Sequence, residues 1–291
     1  MVKEETVVNQ VKLTGIVLSA SPVGEYDKRL VILTGQRGKI TAFVKGARRP
    51  SSRFAAGSRP FSFGEFTLYQ GREAYNLVDI DIKNYFDEIA TDMNAMYYGF
   101  YFLELADYYS YENVNSKEMV NLLYQSLKAL INKNITDKLV RYIYELKMFY
   151  INGEYPDVFS CVECGNKDEL DGFIVGKSKA VCKECSHLYK DNLKLNTSTF
   201  YTMQFIISAS IDKLYSFTVS ETVLKELSML MSSQKRPLLY RLPPVFPTVP
   251  AGFSGILLRR MDPVISPAKT RARSNTTKNT FNLFIQSRPF M

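Results

Sequence analysis

Four cysteines in two pairs most constrain how this chain of 291 residues can fold, because pairs that act together must meet in space. The pairs are Cys161 with Cys164 and Cys182 with Cys185, which gives the spacing C-x2-C-x17-C-x2-C. This spacing is typical of a zinc site in which each C-x2-C turn presents two thiolates. We therefore predict a bound Zn²⁺ with a structural role, since four protein ligands leave no open coordination position.

Two other interpretations of the cysteines remain open, namely solvent-facing thiol pairs or a redox C-x2-C centre. Disulfides are not expected, because the polar N-terminus lacks the apolar segment of a signal peptide and the chain is interpreted as cytoplasmic. No run of about 18 apolar residues indicates a membrane span. His187 is the single histidine and is expected to be a surface residue rather than a fifth ligand.

Residues 1–83 are predicted to form a five-stranded OB-type β-barrel, because they contain five short runs that are either apolar or alternate between apolar and polar residues. The clearest run is 39–45, where Ile40, Ala42 and Val44 share one face. Gly15 interrupts the first run and could mark a β-bulge. The predicted strands are 11–20, 30–34, 39–45, 61–69 and 75–82.

From about residue 87 the apolar period changes from two to 3.6, which predicts helices. A helical domain is expected at 84–155 and 190–234, with a zinc-finger-like module that carries the four cysteines inserted at 156–189. The fold class is therefore α+β and multidomain. One predicted helix contains Met96, Phe100 and Leu103, and the others cover 116–131, 138–150, 198–214 and 220–232.

A run of nine basic residues, without any acid, lies between residues 28 and 59. A local cluster of one charge sign is typical of a surface that binds a polyanion such as nucleic acid. The alternative is a solvated charged face, which usually contains acids as well. The nine residues are Lys28, Arg29, Arg37, Lys39, Lys45, Arg48, Arg49, Arg53 and Arg59.

Phe43 lies between Lys39 and Lys45 on the polar face of the third predicted strand. Single-stranded nucleic acid is bound by cations that contact phosphates and by aromatic rings on which bases stack. Phe43 is therefore a candidate stacking residue, although it could instead belong to the barrel core. The predicted DNA-binding residues are Lys28, Arg29, Lys39, Phe43, Lys45, Arg48, Arg49, Arg53 and Arg59.

The C-terminal segment accounts for most of the net charge of +8, because residues 235–291 contain ten basic residues and one acid. Frequent prolines and the lack of a regular period predict that this atypical tail is poorly ordered. The first 234 residues are nearly neutral as a whole. The basic run at 28–59 is therefore a local cluster of positive charge within a segment that has almost no net charge.

No catalytic constellation is found in the sequence. A single histidine limits general-base chemistry, and neither a phosphate-binding P-loop nor the H-x-E motif of a deaminase occurs. Asp79 and Asp81 lie on one face of a predicted strand and could pair at a metal, but a solvated face is the preferred interpretation. We therefore predict a protein that is not an enzyme.

Several motifs resemble those of the bacterial RecO family of recombination mediators, and the similarity extends over residues 1 to about 234. The most specific motif is Lys45-Gly-Ala-Arg-Arg-Pro-Ser-Ser-Arg53, and its combination with the later cysteine pairs is more specific still. The remaining motifs are Gly35-Gln-Arg-Gly-Lys39, Pro60-Phe61, Glu65, Leu68-Tyr69, Leu103-Glu-Leu-Ala-Asp107, Glu145-Leu-Lys147 and Gly153-Glu-Tyr-Pro-Asp157.

The resemblance implies an OB fold, a helical domain and a zinc-finger-like insertion. It also implies a DNA repair and recombination mediator that binds single- and double-stranded DNA and anneals complementary strands. Such a protein helps RecR to load RecA on DNA coated by the single-stranded-DNA-binding protein SSB, and it binds the C-terminal tail of SSB. A cytoplasmic, nucleoid-associated location follows, whereas residues 235–291 depart from the family's usual ending.

Two alternative functions remain open at this point. The chain could be an RNA-binding protein that combines an OB fold with a zinc module, in which case the 2′-hydroxyl would contribute to recognition. It could also be a non-catalytic interaction scaffold that acts through the helical domain.

Overall fold

A closed barrel of five strands forms the N-terminal part of the computed structural model, which describes residues 10–233. The strand order around the barrel is β1-β2-β3-β5-β4, and β4 pairs with β1 to close it. This arrangement confirms the predicted OB-type barrel. The strands are β1 (Gln10–Val23), β2 (Asp27–Thr34), β3 (Gly38–Val44), β4 (Phe63–Gln70) and β5 (Tyr75–Asn84).

The barrel core is built from the inward-facing residues of each strand. In β3, Ile40, Ala42 and Val44 are buried, whereas Lys39 and Phe43 are half-buried on the outer face, as the alternation predicts. Burial of each large aliphatic side chain contributes about 1.5–3 kcal/mol to folding. The two faces of β3 thus separate core from candidate binding surface.

Gly15 does not mark the bulge that its position in β1 suggests. The register of β1 against β2 shifts between Val17 and Ser19 instead. Gly15 is needed because β2 passes close to it, and an ideal Cβ at this position would lie 2.4 Å from the Leu33 carbonyl oxygen. The glycine therefore permits a close approach of two backbones rather than an extra residue.

Within the described residues, five α-helices follow the barrel, and one of them is shorter than its sequence pattern predicts. The helices are α1 (Met93–Tyr109), α2 (Lys117–Ile131), α3 (Asp137–Ile151), α4 (Thr197–Ser208) and α5 (Glu221–Ser233). Helix α4 ends at Ser208, whereas the sequence pattern predicts an end at residue 214. The buried Lys147 of α3 donates to the carbonyls of Ile207 and Ala209 at 2.7 and 2.8 Å, and a cation is favourable at a helix C-terminus.

A buried ionic cluster joins α1 to α3. The Glu145 side chain is fully buried and accepts hydrogen bonds from the Tyr101 hydroxyl at 2.5 Å and from Arg141 Nε at 2.7 Å. Burial raises the pKa of Glu145, and the positive charge of Arg141 opposes this shift. Both charged residues of the Glu145-Leu-Lys147 motif therefore have structural partners inside the helical domain.

The cysteine pairs lie in a small module between α3 and α4. Its three short strands are β6 (Leu170–Ile174), β7 (Lys179–Cys182) and β8 (Asn192–Lys194), in the order β7-β6-β8. Within residues 10–233, no helix has both the length and the apolar character that crossing a bilayer requires. The atypical tail predicted at 235–291 and the first nine residues lie outside the described residues.

The hairpin between β2 and β3 contacts the segment that links α1 to α2. The backbone of Lys39 donates to the Tyr111 carbonyl at 3.1 Å, and the backbone of Ser116 donates to the Gly35 carbonyl at 3.0 Å. Gly38 has a φ of 64° in this contact, and an ideal Cβ there would lie 2.0 Å from the Tyr111 carbonyl oxygen. Barrel and helices are therefore joined through closely packed backbone.

A glycine substitution tests this junction. We expect Gly38→Ala to lower the free energy of unfolding by roughly 2–5 kcal/mol, because it adds both positive-φ strain and a steric clash. Gly24→Ala is the matched control, since Gly24 also has a positive φ of 56° but has no atom within 4 Å of an ideal Cβ. It should cost about 1 kcal/mol. Urea denaturation of both variants measures the difference, and equal losses would contradict the steric role of Gly38.

Candidate nucleic-acid interface and candidate metal centre

The loop between β3 and β4 folds against the turn between β1 and β2. The Arg48 backbone donates to the Tyr26 carbonyl at 2.8 Å, and the Arg48 side chain donates to the carbonyls of Gly24 and Glu25 at 3.2 and 3.1 Å. These bonds hold the turn at residues 24–26 beside the first part of the loop. Two segments that are separated in sequence thus form one surface.

The same loop is anchored to the barrel despite its polar composition. Ala47 is buried, and Phe54 packs against the barrel core. Lys28 Nζ donates to the carbonyl and to the hydroxyl of the buried Ser58, both at 3.1 Å. Burial lowers the pKa of Lys28, and the nearby positive charges of Arg59 and Arg48 lower it further. Cations of the basic run are therefore close enough to influence each other.

Strand pairing brings further residues of the run to this end of the barrel. Lys28 is paired with Val44 and Arg29 with Phe43, while Lys45 directly follows β3. Phe43 thus has Arg29 as its cross-strand neighbour. We call this surface the basic corner; its residues are Tyr26, Lys28, Arg29, Phe43, Lys45, Arg48 and Arg49.

Three exposed cations of the basic corner have no charge partner within residues 10–233. Arg29, Lys45 and Arg49 form neither an ion pair nor a side-chain hydrogen bond in that part of the chain. Phosphates could bind there without displacing a carboxylate of residues 10–233.

Lys39 lies away from the basic corner, at the opposite end of β3. It lies six positions from Lys45, which is roughly 20 Å along the strand at about 3.3 Å per residue. Lys39 Nζ also contacts Asp107 of α1, at 3.2 Å to the carboxylate and 2.7 Å to the carbonyl. Phe43 is therefore not flanked by two free lysines, as the sequence suggested, and Arg29 is the cation beside it.

Other members of the basic run also have partners from distant parts of the chain. Arg53 pairs with Asp79 at 3.6 Å, and Arg59 pairs with Asp87 at 3.0 Å. Arg37 donates to Gln70 at 2.8 Å and to the Tyr75 hydroxyl at 2.7 Å. Exposed ion pairs contribute at most about 1 kcal/mol, so a phosphate can compete with these carboxylates.

Tyr26 is a residue of the basic corner that sequence reasoning missed. It is 43% exposed, and the Arg49 guanidinium lies 5.2 Å from the centre of its ring. Its sequence signal is modest, namely an aromatic residue in the short turn just before the basic run. Only the loop contacts reveal that Tyr26 and Arg49, 23 positions apart, are neighbours.

The four cysteines converge as their spacing predicts. Their sulfur atoms all lie within 4.8 Å of one another, and those of Cys164 and Cys182 are 3.7 Å apart. Four Zn–S bonds of about 2.3 Å in a regular tetrahedron would place the sulfurs about 3.8 Å apart. The donor set and its size therefore fit a four-coordinate metal ion, and among the described residues His187 is not part of this group.

The local backbone shapes the site and tunes the thiols. Burial alone would raise the pKa of Cys161, but backbone N–H groups of Cys164, Cys182 and Glu163 donate to its sulfur and the pKa falls to about 6. The pKa of Cys185 is raised to about 12, mainly by contact with the Cys182 sulfur and secondly by burial. A metal ion that binds here would displace the protons of the thiols and would stabilise the resulting thiolates.

Metal analysis tests this centre. We expect purified protein to contain about one metal ion per chain by elemental mass spectrometry, and Cys161→Ser with Cys164→Ser to lose it, because two of four ligands are removed. His187→Ala is the control, since His187 Nδ1 lies 2.6 Å from the Glu184 carbonyl and outside the cysteine group. Metal retained by the double serine variant would exclude this ligand set.

Comparisons with known proteins agree with both parts of the molecule. The family model "Recombination protein O N terminal" matches residues 8–86, and "Recombination protein O C terminal" matches residues 90–234. The relative from Clostridium perfringens is 32% identical, with 75% of this chain and 88% of the relative covered. The relative from Desulforamulus reducens is 31% identical, with 76% of this chain and 87% of the relative covered. The relative from Acetivibrio thermocellus is 29% identical, with 75% of this chain and 88% of the relative covered. All three relatives are named DNA repair protein RecO. The chain therefore belongs to the RecO family of DNA repair and recombination proteins.

Proposed function

We propose that this protein binds single- and double-stranded DNA through the basic corner and anneals complementary strands. The observation that carries the proposal is that Arg29, Lys45 and Arg49, which are unpaired within residues 10–233, lie in one corner of an OB barrel, where Arg29 is the cross-strand partner of Phe43. In OB folds, strands 2 and 3 and the loop between strands 1 and 2 bind oligonucleotides. Tyr26, Lys28, Arg29 and Phe43 of the basic corner lie in those elements of this barrel, and its other residues lie in the adjoining loop between β3 and β4.

The proposed mechanism is electrostatic. Two complementary strands repel each other through their phosphates, and cations that contact both strands reduce this repulsion so that bases can pair. The three unpaired cations act first, and Lys28 and Arg48 add positive potential behind them. Lys39, Arg53 and Arg59 join the surface only when DNA phosphates replace their carboxylate partners.

We propose Zn²⁺ as the metal of the four-cysteine centre, with a structural role. Tetrahedral thiolate coordination suits zinc, and a closed ligand set leaves no position for a substrate. The ion would hold together the two C-x2-C turns of the module between α3 and α4. The protein then acts by binding DNA and partners, with no chemical turnover of its own.

We further propose that the protein helps RecR to load RecA on SSB-coated DNA and that it binds the C-terminal tail of SSB. These partners follow from the family resemblance. Association with the nucleoid in the cytoplasm would result from DNA binding itself.

The salt dependence of DNA binding tests the role of the basic corner. We expect the triple variant Arg29→Gln, Lys45→Gln, Arg49→Gln to bind single strands more weakly, with a log–log salt slope shallower by about 2, since each lost phosphate contact contributes about 0.7. Fluorescence anisotropy over a salt series measures the slope, and strand annealing is followed in parallel.

The matched control removes the same charge elsewhere. Lys138, Lys213 and Lys225 are exposed in the helical domain, and changing all three to Gln should leave the slope nearly unchanged. Full-length chains are used throughout, so the basic residues at 235–291 contribute equally to every variant. Identical slopes for the two triple variants would rule out the basic corner, and a preference for RNA of the same sequence would support the RNA-binding alternative.

A further inference from the structure

Four arginines of the basic run each lie over an aromatic ring. Such cation–π contacts attract a guanidinium to the face of a ring while leaving part of it accessible. The four pairs, with the distance from the guanidinium carbon to the ring centre, are Arg37 and Tyr75 (5.9 Å), Arg49 and Tyr26 (5.2 Å), Arg53 and Phe54 (4.7 Å), and Arg59 and Tyr85 (5.7 Å).

One of these pairs differs from the others in what its arginine contacts. Arg37 donates to two side chains, whereas Arg53 and Arg59 each form an ion pair with an aspartate. Arg49 makes neither kind of contact through its side chain within the described residues. Its guanidinium is therefore oriented by the Tyr26 ring and available to a ligand.

The four rings also differ in how exposed they are. Phe54 and Tyr75 are partly buried and pack against the barrel core. Tyr85 is 39% exposed, but its arginine is paired with Asp87. Tyr26 is 43% exposed in the turn between β1 and β2, so this pair combines an accessible ring with an unpaired guanidinium.

The Tyr26–Arg49 pair is also held in place before any ligand arrives. The Tyr26 carbonyl accepts from the Arg48 backbone, and the Gly46 backbone donates to the Asp27 carboxylate at 2.8 Å. These bonds fix the turn and the loop on both sides of the pair. A preorganised site loses less conformational entropy when it binds a ligand.

We propose that Tyr26 and Arg49 form a stacking site for one unpaired nucleobase of a single strand; this inference rests on the DNA binding proposed above. Aromatic rings and guanidinium planes both stack on bases, irrespective of base identity. Arg29 and Lys45 of the same corner supply cations for the adjoining phosphates. The ligand class is therefore single-stranded nucleic acid with no sequence preference.

The stacking site gives the protein a preference for the substrate of annealing over its product. Bases inside a duplex are stacked on each other and present no free face to Tyr26. Once two strands have paired, the stacking contact is lost and only the phosphate contacts remain. Release of the duplex thus becomes easier as annealing is completed.

Substitutions at Tyr26 in the full-length chain test this site. Tyr26→Leu keeps bulk but removes the π face, and we expect roughly a 5- to 100-fold loss of affinity for a thymine-rich single strand. Affinity for a duplex and the salt slope should stay unchanged, because no charge is removed. Tyr26→Phe should retain wild-type binding, and Tyr85→Leu, which removes the ring beside Arg59, should have little effect.

A fluorescent base reports stacking directly. Wild-type protein should quench 2-aminopurine placed in a single strand, and Tyr26→Leu should abolish this quenching. Arg49→Lys keeps the charge but loses the planar guanidinium, so it should also weaken single-strand binding at an unchanged salt slope. Circular dichroism and thermal unfolding check that each variant is folded, which is expected because both side chains are exposed.

Three results would overturn the stacking site. If Tyr26→Leu loses equal affinity for single strands and for duplex, and its salt slope is shallower, then Tyr26 only positions the Arg49 charge. Unchanged binding and quenching in Tyr26→Leu would mean that the ring does not touch DNA. If the wild-type protein binds neither single strands nor duplex, the proposed function itself fails, which is distinguishable from both other results.

Discussion

The contact between the β2–β3 hairpin and the segment before α2 determines which end of the barrel is free to bind. At the hairpin, Gly38 allows the barrel backbone to reach the Tyr111 carbonyl, and Lys39 is drawn to Asp107 of α1. At the other end of β3, Lys45 is exposed and forms no ion pair within residues 10–233. Because the Lys39 end of β3 is packed against helices, the cations at the Lys45 end are the ones available to a ligand.

Residues 28–59 contain no acid in sequence, but acids from other parts of the chain lie beside some of their cations in the folded protein. Folding brings Asp79, Asp87 and Asp107 to three cations of the run, so its nine charges divide into paired and unpaired members. A phosphate gains most at a cation that has no partner to lose. Within residues 10–233, the members with neither an ion pair nor a side-chain hydrogen bond are Arg29, Lys45 and Arg49, and all three belong to the basic corner. The candidate site is therefore smaller and more defined than the length of the run suggests.

Features that depend on local sequence were predictable, and those that depend on distant residues were not. The alternation of Ile40, Ala42 and Val44 fixed the inner face of β3, and the cysteine spacing indicated a convergent site. The partner of Lys39 lies 68 positions away, and the end of α4 is set by Lys147, 60 positions away. Neither contact leaves a periodic signal, because single side-chain contacts have no repeat for a pattern to detect.

The module between α3 and α4 would depend on a bound metal ion for its stability, whereas the barrel would not. Its three strands have five, four and three residues, which is too little sheet for an independent hydrophobic core. Without a cation the four cysteines offer only weak thiol contacts, whereas a bound metal ion would cross-link the two C-x2-C turns. The barrel instead closes on its own buried residues, Phe66 and Leu68 among them. Loss of metal should therefore act first on the fold between α3 and α4, while the basic corner keeps its geometry.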